Sequence, residues 1–257
     1  MDKKISSFLD LKWLFIISFA LVYGCSKSDK KKGLVENKNI SNTVAEFTPM
    51  DSIVEIKKEP ADFLPKGYKI FGKSYGDLNQ DGIDDCILII KKTDQSKIVT
   101  DEYRGKLDRN RRGIIILFKK KEGYELALKK EACFSSENED GGVYYAPELD
   151  VSAEKGNLYI HYAHGRYGYW SYTFKYRNSN FELIGYDDSS NTGPVVNSET
   201  SINFLTKKRL ERTNVNQDAE SGEEKFEDTW TKLKSSKLLS LSNIKDFDEL
   251  DLSTYLE

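Results

Sequence analysis

Short apolar runs separated by turn-forming residues recur along most of the chain. Two of these runs, Cys86 to Ile90 and Gly113 to Phe118, are continuously apolar and rich in β-branched residues. Continuous runs of strand length are typical of strands that are buried on both faces of a sheet. We therefore expect these two segments to form the centre of the fold.

Farther along, the pattern changes to alternation. Between Trp170 and Tyr176, aromatic residues occupy every second position and Ser, Thr or Lys the positions between them. This spacing predicts a strand with one aromatic face. Turn-forming residues at 121–123, 154–157 and 178–180 separate such segments. The pattern predicts an all-β fold, an antiparallel meander of about ten strands in propeller-blade-like or sandwich-like sheets.

One segment, residues 223–234, is ambiguous. Phe226, Trp230 and Leu233 fall on helical spacing, and Ser221 with Glu224 has the spacing of a helix capping box. The surrounding chain is rich in strand patterns, so the sequence favours a strand there and leaves a helix as the alternative.

The segment from Asp77 to Asp85, DLNQDGIDD, combines acidic side chains with a glycine at the sixth position. Calcium takes about six to eight oxygen ligands, and side chains at alternate positions supply them as a loop curls around the ion. We predict a calcium loop that opens a central strand. Its expected ligands are Asp77, Asn79, Asp81, the backbone carbonyl of Ile83, and Asp85.

This segment has two alternatives to the predicted calcium loop. An EF-hand has a glutamate at its twelfth position, where this chain has Leu88, so the loop is not an EF-hand. An ordinary turn without a metal stays open as an alternative, because Asp, Asn and Gly are also the common turn formers.

The residues from Phe71-Gly72 through the loop to the following hydrophobic strand resemble one FG-GAP repeat, the calcium-binding unit of integrin-α-like β-propellers. The resemblance covers about residues 71 to 92 and implies the side chains of Asp77, Asn79, Asp81 and Asp85 as calcium ligands. The chain has one copy of DxNxDGxxD, whereas a propeller needs several blades, so a complete propeller is not implied. The layout of the whole chain also resembles uncharacterised lipoproteins of Bacteroidetes-type bacteria.

The N-terminus has the order of a secretory signal: a basic segment, an apolar run from Trp13 to Val22, and Gly24 before Cys25. A cysteine directly after such a cleavage point resembles the lipobox of bacterial lipoproteins, which implies that Cys25 is acylated. An ordinary signal peptide or an uncleaved anchor remains the alternative. We predict a signal peptide at residues 1–24, a flexible tether at 25–48 and one β-rich domain at 49–257.

These features indicate an extracytoplasmic protein that is held at a membrane by its N-terminal lipid. Ser26 follows the cysteine, so the chain lacks the aspartate associated with inner-membrane retention, and the outer membrane is favoured, facing either the periplasm or the cell surface. With 39 Lys and Arg against 42 Asp and Glu, the net charge of −3 does not indicate nucleic-acid binding.

Two cysteines, Cys86 and Cys133, remain once Cys25 is assigned to lipidation. An even pair in an oxidising compartment makes a disulfide plausible, and the sequence leaves open whether it forms.

A cluster of aromatic residues lies around Gly165 and Gly168. Exposed aromatic rings can stack on ligands such as sugars, although core packing is their commoner use. The candidate ligand-binding residues are Tyr162, Tyr167, Tyr169 and Trp170. Two nearby histidines, His161 and His164, are three residues apart and would point to opposite faces of a strand, so they are not expected to chelate one metal.

Two function classes follow. The first is a lipid-anchored, extracytoplasmic calcium-binding β-domain with a binding or structural role toward a protein or glycan ligand. The second is a cell-surface hydrolase acting on polysaccharide. The chain carries no GxSxG motif and no other linear catalytic signature, so catalysis is left open and a non-enzymatic role is favoured.

Overall fold

The computed structural model describes residues 55–139, 146–216 and 218–256. The described part contains fourteen strands. The first seven are β1 (Ile56–Lys57), β2 (Tyr68–Gly76), β3 (Asp85–Lys92), β4 (Ile98–Asp101), β5 (Gly105–Asp108), β6 (Arg112–Lys120) and β7 (Gly123–Phe134). The last seven are β8 (Glu148–Glu154), β9 (Asn157–Ala163), β10 (Gly168–Arg177), β11 (Asn180–Thr192), β12 (Val195–Asn203), β13 (Lys208–Asn214) and β14 (Phe226–Lys232).

Within residues 55–139, 146–216 and 218–256, helical structure is limited to short pieces. The 3-10 turns are Pro60–Phe63, Gln95–Lys97, Gly165–Tyr167 and Leu241–Asn243, and one short α-helix, α1, covers Ser253–Leu256. None of the described helices is long and apolar enough to cross a membrane.

The strands form two main antiparallel sheets. The first has five strands in the order β1-β7-β6-β3-β2, and the second has seven in the order β14-β13-β12-β11-β10-β9-β8. The seven-stranded sheet is a pure meander, because every strand pairs with its neighbours in sequence. Between β3 and β6, the chain leaves the five-stranded sheet to form a separate hairpin from β4 and β5.

The inner strands β3 and β6 of the five-stranded sheet are buried on both faces. On one face, Ile87, Ile89 and Ile116 join a core shared with the seven-stranded sheet. On the other face, Leu88 and Ile115 belong to a second cluster, which Phe63 from the first 3-10 turn covers. Because successive side chains of a strand point to opposite faces, a continuous apolar run is satisfied only when both faces are covered. The predicted burial of these runs is confirmed.

The seven-stranded sheet contributes one face to the shared core. Leu158, Phe174, Phe181 and Leu183 are 0–1% exposed and lie in this cluster. Their strand neighbours on the opposite face are polar and partly exposed, as the alternating burial of β9 and β10 shows.

The segment after β14 closes the core. Leu239, Leu241, Ile244 and Phe247 are all less than 9% exposed and belong to the cluster between the sheets. The Phe247 ring stacks on Phe134 of β7 with centroids 5.1 Å apart. The C-terminal segment is therefore part of the domain's packing.

The predicted all-β, antiparallel fold is confirmed, with fourteen described strands in a sandwich-like arrangement instead of about ten. The segment 226–232 is strand β14, as favoured. The strand that follows the Asp77 loop is β3, which lies between β2 and β6 and thus one position away from the centre of its sheet. The predicted signal peptide (1–24) and tether (25–48) lie outside the described residues.

Candidate functional site

The candidate calcium loop connects β2 to β3. β2 ends at Gly76 and β3 begins at Asp85. Two residues of the loop, Gln80 at φ +62° and Gly82 at φ +85°, have left-handed backbone conformations. Glycine adopts such a conformation without steric cost, so Gly82 allows the chain to reverse direction at this point.

Three of the predicted ligand side chains converge inside the loop. The backbone N–H of Asp81 donates to Asp77 Oδ1 at 3.1 Å and to Asn79 Oδ1 at 2.9 Å. The Asn79 side-chain amide also donates to Asp81 Oδ2 at 3.0 Å. Because two side chains share one donor and the third contacts its neighbour, their oxygens are gathered within one small volume.

The same side chains also hold the turn together. Asp77 Oδ2 accepts from the backbone N–H of Gly82 at 2.9 Å, and Asp81 Oδ1 accepts from that of Ile83 at 3.0 Å. These are the local side-chain to backbone bonds of Asx-type turns. The loop is therefore preorganised by the residues that would supply its ligands.

Asp85 has a different environment from the other predicted ligands. It is fully buried, and its two carboxylate oxygens accept from the backbone N–H groups of Leu78 (2.9 Å), Asn79 (3.3 Å) and Lys119 (3.0 Å). Burial raises the pKa of the Asp85 carboxyl above its ordinary value, and these three donors counteract the rise by stabilising the charged form. Asp85 thus ties the loop to β6, and the structure gives it a bracing role.

The loop lies where the two sheets meet. A Cβ placed on Gly76 would come within 2.7 Å of the Ala153 side chain, so β2 and β8 pass each other closely at this point. The Gln80 side chain packs against Gly156 in the turn between β8 and β9, where an added Cβ would lie 2.5 Å from its amide nitrogen. A change in the loop would therefore affect the contact between both sheets.

The donor set of the loop is mixed. Within the ranges that the structure describes, no three Asp, Glu, His or Cys side chains converge as a metal-binding group. The loop instead offers the carboxylates of Asp77 and Asp81, the amide oxygen of Asn79 and the carbonyl of Ile83. All of these are oxygen donors, the type that calcium prefers in proteins.

The Phe-Gly pair that precedes the loop has a structural role. The β2–β3 register shifts between Ile70 and Gly72, so Phe71 lies at a β-bulge. The Phe71 ring lies 5.6 Å from Lys91 Nζ and 5.3 Å from the Arg112 guanidinium carbon. Burial lowers the pKa of Arg112 from its ordinary value. Phe71 therefore covers two buried cations.

A buried ionic group at this end of the five-stranded sheet was not predicted. Lys91 is 1% exposed, and its Nζ lies 2.5 Å from Glu137 Oε1 and 3.2 Å from Asp108 Oδ2. It also donates to the Asp108 carbonyl at 3.0 Å. The only sequence feature that could have indicated it is a lysine at the end of an apolar strand.

The aromatic candidates do not form one surface. Tyr162 is 2% exposed and lies in the core, where its ring stacks on Trp170 with centroids 5.3 Å apart. Tyr169 points to the opposite face and contacts His161. Tyr167, in the 3-10 turn, contacts His164 and lines a cavity of about 330 Å³.

For Tyr162, the ligand-binding prediction is corrected to core packing. β10 pairs with β9 so that Trp170 lies opposite Tyr162, and the alternation of the strands turns both rings inward. Tyr167 lines its cavity together with Ala163, His164 and Arg166. Tyr169 lines a separate cavity of about 230 Å³ on the outer face of the seven-stranded sheet. The two histidines contact different rings, His161 that of Tyr169 and His164 that of Tyr167.

The cysteines are placed far apart. Cys86 belongs to the outer cluster and Cys133 to the core between the sheets, so the thiols lie on opposite faces of the five-stranded sheet. The two cysteines also lie near opposite ends of the sheet. Cys133 is near the end where Lys91 lies, and Cys86 is five residues from Lys91 along β3, which is about 16 Å along the strand. A disulfide needs Cα atoms less than about 7 Å apart. Both thiols are free, and the candidate disulfide is not formed.

The predicted lipidation residue, Cys25, lies outside the described residues. Comparisons with protein-family models, with curated proteins and with solved structures give no match to this chain.

Proposed function

We propose that this chain is a lipid-anchored, extracytoplasmic β-sandwich module whose Asp77–Asp85 loop binds Ca²⁺ and has a binding or structural role at the membrane surface. The observation that carries the calcium proposal is that Asp77 and Asn79 both accept from the backbone N–H of Asp81, while the Asp81 carboxylate accepts from the Asn79 side-chain amide. The membrane attachment rests on the lipobox-like sequence that ends at Cys25.

In this proposal, the side chains of Asp77, Asn79 and Asp81 and the carbonyl of Ile83 bind the cation, and Asp85 holds the loop in place. Two carboxylates held close together repel each other, and a divalent cation between them removes that repulsion. Since Gln80 of the loop packs against the turn between β8 and β9, calcium would stabilise the junction between the sheets.

The experiment is thermal unfolding of the purified chain in calcium and in chelator. For a dissociation constant of ~0.1 mM in ~1 mM calcium, binding adds about 1.4 kcal/mol to the free energy of unfolding. For a domain of this size the gain corresponds to a rise in Tm of a few degrees.

Asp81→Ala should abolish most of this calcium-dependent rise. Asp84→Ala is the matched control, since Asp84 is an exposed neighbour outside the proposed ligand set. The comparison is made on the difference between calcium and chelator, so any baseline effect of each substitution cancels. An unchanged Tm of the wild type in chelator, or equal behaviour of the two variants, would show that the loop is a turn without a metal.

The binding role is tested separately, by screening the purified chain against glycans. The cavity beside Tyr167, at about 330 Å³, is large enough for a small polar ligand such as one sugar ring. Binding without turnover, reduced by Tyr167→Ala, supports a binding module. Turnover of a polysaccharide would instead support the hydrolase alternative.

A further inference from the structure

Strand β14 is an edge of the seven-stranded sheet. Among the described strands, it pairs only with β13. Six of its seven residues are exposed, and Trp230 is 64% exposed. An edge strand presents unpaired backbone N–H and C=O groups to a further strand.

The backbone bonds beside β14 identify those groups. The N–H of Leu233 donates to the Lys207 carbonyl at 2.9 Å, and the Lys225 carbonyl accepts from Val215 at 2.7 Å. In an antiparallel ladder, alternate residues direct both backbone groups to the same side. The odd-numbered residues of β14 therefore bond to β13. The groups that face away from β13 belong to Phe226, Asp228, Trp230 and Lys232.

A second copy pairing antiparallel to this edge must place these even-numbered residues opposite one another. A two-fold axis at Trp230 puts each Asp228 opposite Lys232 of the other copy and Thr229 opposite Thr231. An axis at Asp228 would oppose two aspartates, and one at Thr229 would leave both charges opposite aromatic rings. Opposite charges in directly facing positions are favourable and like charges are not, so the axis at Trp230 is the most favourable of these three.

Charges on the neighbouring strands agree with this register. Arg212 of β13 contacts Glu199 of β12 at 2.6 Å and Asp228 of β14 at 3.2 Å. Lys232 of the second copy would lie beside Asp228. Negative and positive side chains would then alternate across one further strand. Within one chain, Lys232 lies opposite Lys208, an unfavourable pair that a facing Asp228 would relieve.

We propose that two copies of this chain associate through β14, in an antiparallel register centred on Trp230, to give one continuous sheet. The occupant of the edge is thus a second copy of the same strand. The pairing involves only a seven-residue strand and its flanking side chains, so we expect a weak dimer whose population rises with protein concentration.

The test is sedimentation of the full-length chain in detergent over a range of concentrations. Asp228→Lys and Lys232→Asp each place like charges opposite one another in a self-pair, so each variant should associate roughly tenfold more weakly than the wild type. In an equimolar mixture of the two variants, every facing pair is again of opposite sign. The mixture should therefore recover association close to that of the wild type.

Glu227→Lys is the matched control. It makes the same change of charge one residue away, but Glu227 directs its backbone groups to β13 and its side chain to the other face. Its association should equal that of the wild type. Circular dichroism of each variant checks that the sheet is intact.

A covalent readout tests the register independently of charge. Trp230→Cys places two thiols opposite each other at the axis and should give oxidised dimers, whereas Glu227→Cys should give no more than the wild type. A wild type that stays monomeric at all concentrations, a mixture no better than its components, or equal cross-linking of both cysteine variants would overturn the proposal.

Discussion

The two sheets of this sandwich differ in how many of their faces are buried. In the five-stranded sheet, the inner strands β3 and β6 are covered on both faces and are nearly continuous runs of Ile and Leu. The seven-stranded meander shares one face with the core and leaves the other to solvent, and its strands alternate apolar with polar residues. The composition of a strand thus records how many of its faces are covered.

The two regions with a proposed function also belong to different sheets. The loop proposed to bind calcium lies between two strands of the doubly covered sheet, where Asp85 can be held by buried backbone donors. The strand proposed to pair with a second copy, β14, is the last strand of the meander, and most of its residues are exposed. A preformed loop is favoured where the surroundings are rigid, and an interaction surface where the backbone remains accessible.

The largest expected difference between the two sheets is in the loss of unfolding free energy caused by a Leu→Ala substitution. Leu88 is fully buried in the outer cluster of the five-stranded sheet, so Leu88→Ala should cost about 2–5 kcal/mol in unfolding free energy. Leu210 lies half-buried on the outer face of the meander, and Leu210→Ala should cost less than about 1 kcal/mol. Urea unfolding of both variants measures the difference. Equal costs would contradict the assignment of two covered faces to one sheet only.

The next contrast lies within the loop from Asp77 to Asp85. Asp85→Ala leaves the backbone N–H groups of Leu78 and Lys119 without their acceptor, and we expect a loss of about 2–3 kcal/mol even in chelator. Asp84→Ala, at an exposed position, should change stability by less than about 0.5 kcal/mol. If Asp85→Ala were harmless in chelator and harmful only with calcium, Asp85 would be a ligand instead of a brace.

Much of the fold could be predicted from local patterns of apolar and polar residues. The apolar runs around Ile87 and Ile115 indicated burial on both faces, and the alternation from Trp170 to Tyr176 indicated a meander strand. What covers the second face could not be predicted, because the covering residue, Phe63, comes from a short turn that carries no periodic pattern of its own.

The candidate site was predictable in position but not in every role. The spacing of Asp77, Asn79 and Asp81 indicated a curled loop, which the structure shows. The same spacing placed Asp85 among the candidate ligands, and the sequence does not reveal that its oxygens also accept from the backbone N–H groups of Leu78 and Lys119. Likewise, the sequence did not reveal that Tyr162 lies in the core and that Tyr169 points to the opposite face.

A smaller effect tests whether the core between the sheets is dry. Burial raises the pKa of the Cys133 thiol to about 12 from its ordinary value of 9.0. The neutral thiol is favoured in the folded state, so this contribution is fully present below about pH 9 and is lost as pH rises toward 12. At pH 10 the loss should be about 1 kcal/mol relative to pH 8.

Urea unfolding at both pH values, compared between the wild type and Cys133→Ala, isolates this contribution. The variant should lose less stability between pH 8 and pH 10. In the native protein, Cys133 should resist alkylation at pH 8, and after unfolding both Cys86 and Cys133 should be alkylated without reduction. Fast native labelling of Cys133 would mean that water reaches the core.

The smallest expected effect is the Arg212–Glu199 ion pair on the outer face of the meander. Both side chains are more than 30% exposed, so a double-mutant cycle with Arg212→Met and Glu199→Gln should give a coupling of about 0.2–1 kcal/mol that falls with added salt. The Lys91–Glu137 pair of the other sheet provides the contrast, because Lys91 is 1% exposed and its charge is shielded from salt. Its coupling, measured with Lys91→Met and Glu137→Gln, should be larger and should change little between low and high salt. If both couplings fell equally with salt, Lys91 would be hydrated in solution, and the two sheets would not differ at this end as they do in the structure.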